Sequence, residues 1–174
     1  MTADRVIESR TGELLIVMGE LKQLHEELLT VLQQKLAAMR RADTEGLNSC
    51  TARQRFLVDR IRQKEGLRRQ VVQLIGKAMG MPAERAADWP LRELAERLPE
   101  PRRGQLLAQA AVVREILLAI DKTNTVAALV TGEMLKHFQQ VCAAMARTGQ
   151  STGTYSSAGR LNSEPPVGVF EAVG

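Results

Sequence analysis

Two histidines, two cysteines and a few carboxylates are the side chains here that could do chemistry, and their spacing argues against it. His25 precedes Glu26 and Glu27. No HExxH or second ligand follows, and a zinc site needs three or four ligands. His25 and His137 each read as an isolated residue on a helix surface. Neighbouring carboxylates such as Glu26 and Glu27 fall on different helix faces and serve to solvate them. Cys50 and Cys142 are far apart and form no CxxC. They read as small buried or half-buried side chains of a protein in a reducing cytoplasm, although an antiparallel hairpin can bring such a pair together. Glycines are scattered singly, without a phosphate-binding loop, and neither GxSxG nor a Cys–His pattern occurs. The expectation is a protein that is not an enzyme and uses no metal and no cofactor.

One cluster is not explained by the lack of catalysis. Arg53, Arg55, Arg60, Arg62, Lys64, Arg68 and Arg69 crowd one helical stretch, against Asp59 and Glu65. A phosphate backbone is bound through such a stripe. Single-strand binders also want stacking aromatics, and only Phe56 is near; no duplex-reading motif is present. The plainer reading is a solvated face paired with acids on a neighbouring helix. An acidic protein partner and nucleic acid stand as the alternatives.

The elements that would position these residues are all helices. Of 174 residues, 44% are hydrophobic and only 3% aromatic. The core must be built from Leu, Val, Ile, Ala and Met, which suits thin helical packing. Leu14, Val17, Leu21, Leu24, Leu28, Leu32, Leu36 and Met39 recur at spacings of three and four, the period of a helix and close to a heptad seam. Asp43 can cap a second helix and Glu45 suits its positive end. That helix continues through Leu47, Cys50, Leu57, Ile61, Leu67, Val71, Ile75 and Met79, and Gly80 and Pro82 end it. Leu91, Leu94 and Leu98 space a short connector helix between prolines, with Trp89 at its start as a plug that anchors the connector on the bundle. The last helix carries the longest seam: Leu106, Val113, Leu117, Ile120, Asn124, Ala127, Met134, Phe138, Val141 and Met145. Asn124 at a seam position would fix register or partner choice. Some 47 residues of helix span roughly 70 Å, a length that the first two helices are expected to cover.

The predicted fold is therefore all-α: a long antiparallel helical hairpin or coiled-coil bundle of three long helices with a short connector helix. The helices fall at about 4–41, 43–79, 90–98 and 101–147, giving a helical domain over 1–147. Residues 148–174 are rich in Gly, Ser, Thr and Pro and read as a flexible tail. The tail nevertheless carries the only Tyr, with Leu161, Val167, Val169, Phe170 and Val173, which suits a segment that orders on a partner. The N-terminus MTADRVIESR has no apolar stretch of the signal-peptide kind, and no apolar run is long enough to span a bilayer.

In pattern the chain resembles the FlgN family of flagellar export chaperones. The likeness covers the Leu-rich first helix, the step Asp43-Thr44-Glu45-Gly46-Leu47, a variable connector, and the segment Ile120-Asp121-Lys122-Thr123-Asn124 with the aliphatic stretch after it. In the tail, Tyr155 and Gly159 match the family's Y-G-x-x-G, with Ser156 in place of its first Gly. The resemblance implies a cytoplasmic chaperone that binds the C-terminal helices of the hook–filament junction proteins, prevents their premature assembly and delivers them to the cytoplasmic domain of the export gate. It implies client binding on the last helix, at Asn124, Val130, Met134, Leu135, Phe138 and Val141, and gate docking at Tyr155 and Gly159. Two other readings of the chain are a generic coiled-coil scaffold and a basic helical nucleic-acid binder.

Overall fold

In a computed structural model, residues 3–82, 86 and 89–149 are described. They form four helices: α1 (Ala3–Arg40), α2 (Thr44–Ala78), α3 (Leu91–Glu96) and α4 (Arg102–Gly149). No strand occurs among them, and the architecture is all-α. The ends differ by one or two residues from those read off the sequence, a normal spread where terminal turns fray.

The turn between α1 and α2 is short and uses every residue. Ala42 adopts a φ of 53°. Its N–H donates to the Met39 carbonyl (3.1 Å), and the Asp43 N–H donates to the Ala38 carbonyl (3.0 Å). This crossed pair satisfies the last carbonyls of α1 in the Schellman pattern. Asp43 then caps α2, its carboxylate accepting the Gly46 N–H at 2.9 Å. The other end of α2 closes the same way. Gly80, at φ 78°, donates to Lys77, and Met81 donates to Gly76.

Two clusters hold the first compact unit, Met1–Ala128. In one, Leu14, Val17, Met18 and Leu21 of α1 meet Val71, Val72 and Ile75 of α2, with Trp89, α3 and Leu106 of α4. In the other, Leu28, Val31 and Leu32 meet Leu57 and Ile120. Because α2 runs back along α1, late α2 residues face early α1 residues. Leu106 and Ile120 follow the order of Leu14 and Leu28, so this part of α4 runs parallel to α1. Trp89 is buried in the first cluster, as a plug would be, with the Arg97 guanidinium 5.3 Å from its ring.

Three expectations fail. His25 is not a surface residue: it is 7% exposed, and its Nδ1 lies 2.7 Å from the Leu21 carbonyl one turn back. That bond satisfies the ring locally, so the rest of it can pack inside. Cys142 is exposed rather than buried, and both cysteines are free. The full seam of α4 is not covered either. Leu106 and Ile120 are buried, Val113 and Ile116 half-buried, and Asn124 exposed. Leu117, on the same seam, is exposed too although it precedes the buried Ile120. Heptad spacing sets which residues share a face of α4, and burial needs another segment packed on that face.

The second unit is Leu129–Gly174; its described part is the end of α4.

Candidate partner-binding site

Periodicity in the last part of α4 places apolar side chains at positions 134, 138, 141 and 145, three and four apart and hence on one stripe. Such a stripe is ordinarily buried. Here Met134 is 46% exposed, Leu135 57%, Phe138 65% and Val141 42%. Leu129 and Met145 are exposed as well, and Val130 is half-buried. Of the six residues expected on a client groove, five are therefore open, Asn124 among them, and Val130 is partly so. An apolar stripe on a helix matches the face of a second amphipathic helix, and the methionine thioethers adapt to irregular contacts. Recognition there would rest on shape and apolar burial. Tyr155 and Gly159 lie outside the described residues.

The basic stretch of α2 is partly neutralised by neighbours. Arg53 bonds Glu27 at 2.9 Å and Lys64 bonds Glu20, both across to α1. Arg62 pairs with Asp59 and Arg68 with Glu65 along α2 itself. The exposed Phe56 ring has the Arg53 and Arg60 guanidiniums 5.2 and 5.8 Å from its centre, so cation–π contacts already engage the one aromatic that bases could stack on. Arg55, Arg60 and Arg69 make no ion pair among the described residues.

Sequence reasoning missed one determinant, Gly76. It lies on α2 against Ala86 and Trp89 of the connector, and no local motif marks it. Among the described residues no group of three or more His, Cys, Asp or Glu side chains could hold a metal ion. No described helix is long and apolar enough to cross a membrane.

Among curated proteins and solved structures, none matches the chain. One family does: the model of the FlgN protein matches residues 10–163, from the first turns of α1 through the whole of α4 and beyond. With nearly all of its length matched, the chain belongs to the FlgN family, the chaperones of flagellar export.

Proposed function

We propose that this protein is a cytoplasmic chaperone that receives the C-terminal helices of hook–filament junction proteins on the apolar stripe of α4. Met134, Leu135, Phe138 and Val141 would contact the client, with Val130 and Asn124 at the margin. Covering a client's assembly helix would keep it soluble and unassembled until export. Tyr155, with Gly159 behind it, would then dock the loaded chaperone on the cytoplasmic domain of the export gate. Binding and release account for the whole task, and no catalytic step is assigned.

The observation that carries this reading is the exposure of a helical stripe that includes Phe138. Water contact with such a surface is unfavourable by about 25 cal/mol per Å², and a client helix would remove it. The experiment is co-purification with folded hook–filament junction proteins, comparing the native chain with Phe138→Asp and Tyr155→Ala. We expect Phe138→Asp to lose the client, and Tyr155→Ala to keep it while export fails. No complex with the native chain at micromolar concentrations would overturn the proposal.

A further inference from the structure

A recess lies wholly within Met1–Ala128. It opens between α2, the start of the connector helix and the first half of α4, with a volume of about 430 Å³. Its floor is apolar: Met18, Trp89, Leu91, Val113 and Leu117. Leu117 is 45% exposed although its heptad position points it toward the bundle. The charged part of the lining is mainly cationic, Arg68, Arg69 and Arg114 against one carboxylate, Glu65. That carboxylate is already bonded to Arg68 at 2.9 Å. Arg69 and Arg114 are exposed and make no ion pair among the described residues.

We propose that this recess docks an acidic amphipathic helix of a partner protein. Aliphatic side chains of the partner would cover Leu91, Val113 and Leu117, and its carboxylates would meet Arg69 and Arg114. Charge complementarity chooses this occupant. An apolar segment alone would leave the two unpaired guanidiniums without complementary charge, whereas carboxylates there raise the on-rate and fix specificity and register. Nucleic acid fits poorly, because Trp89, the aromatic at this site, is 5% exposed and already stacked by Arg97, leaving no open ring for a base. The site shares no residue with the Phe138 stripe, so either can fail without the other.

The test uses the full-length chain and a fluorescein-labelled helical peptide of about five turns. The peptide carries leucines at i, i+3, i+4 and i+7 with flanking glutamates; a second peptide carries lysine at each glutamate. Binding is read by anisotropy and by the emission of Trp89, the single tryptophan. We expect micromolar binding of the glutamate peptide, none of the lysine peptide, and unchanged binding to Phe138→Asp. Arg69→Glu/Arg114→Glu should weaken it at least about tenfold, and Leu117→Asp should do the same. Should the paired charge reversal disturb the helical circular dichroism, Arg69→Gln/Arg114→Gln replaces it with the same expectation. Equal affinity for both peptides, no effect of the arginine variants, or loss of binding in Phe138→Asp alone would overturn the proposal. So would failure of the peptide where the arginines instead govern self-association or binding to phosphatidylglycerol vesicles, since a second copy or a lipid surface would then be the occupant.

Discussion

Gly76 and Ala86 approach so closely that a Cβ built on Gly76 would lie 2.7 Å from the Ala86 Cβ. Neither atom belongs to a flexible side chain, so relief requires the connector or α2 to shift. Gly76→Ala gains about 1 kcal/mol of helix propensity, but overpacking costs roughly 1–3 kcal/mol, and we expect net destabilisation in urea unfolding. Gly66, mid-α2 with nothing near its Cβ direction, is the control: Gly66→Ala should stabilise. Adding Ala86→Gly to Gly76→Ala should recover much of the loss, a coupling that contacting residues show.

Ala42 holds a left-handed backbone without the freedom of glycine. Ala42→Gly removes the Cβ strain at φ 53°, and we expect a gain of up to about 1 kcal/mol, seen as a higher Tm. Gly80 occupies the equivalent place after α2, so Gly80→Ala should lose a similar amount.

Packing rather than charge holds α1 on α2. The Arg53–Glu27 pair is about half exposed on each side, so Glu27→Gln should cost no more than about 1 kcal/mol. Leu57, fully buried in the second cluster, should cost about 2–5 kcal/mol as Leu57→Ala. Chemical denaturation of the two variants separates these effects; similar losses would show that the cross-helix charges matter far more than their exposure implies.

Trp89→Ala should cost about 3–5 kcal/mol. The substitution empties the site where the connector meets Val71, Val72 and Ile75. The same loss should loosen α3 first, which amide hydrogen exchange at Leu94 and Ala95 would reveal.

Phe138→Asp should leave unfolding within about 0.5 kcal/mol of the native chain, because its ring is largely in water. A large loss of stability would mean that the stripe is covered in solution by something that already belongs to the fold.

Helix identity and punctuation were legible because they are local. Spacings of three and four named the buried faces, and Asp43, Gly80 and Pro82 marked the ends through their own hydrogen bonds and dihedrals. Trp89 was legible for a different reason: a lone large apolar residue in a polar connector has few places to go. Coverage was not legible. The seam at Leu117, Asn124 and Phe138 states which residues share a stripe, while burial depends on whether another segment packs on it; Leu117 is exposed although Ile120 beyond it is buried. Gly76 was invisible because its constraint comes from Ala86, on another segment. His25 misled because a single turn of helix supplies the carbonyl that lets a polar ring go inside.

Asp43 ends one helix and begins the next, with its N–H committed to Ala38 and its carboxylate to Gly46. The hairpin consequently has no slack, and the turn works as a phase lock between two helical screws. One residue inserted after Ala42 would turn α2 by about 100°, swinging Leu57 and Ile75 together off the core while leaving every helix intact. The α1–α2 turn must therefore keep its residue count, because its length sets the rotation of α2 about its own axis.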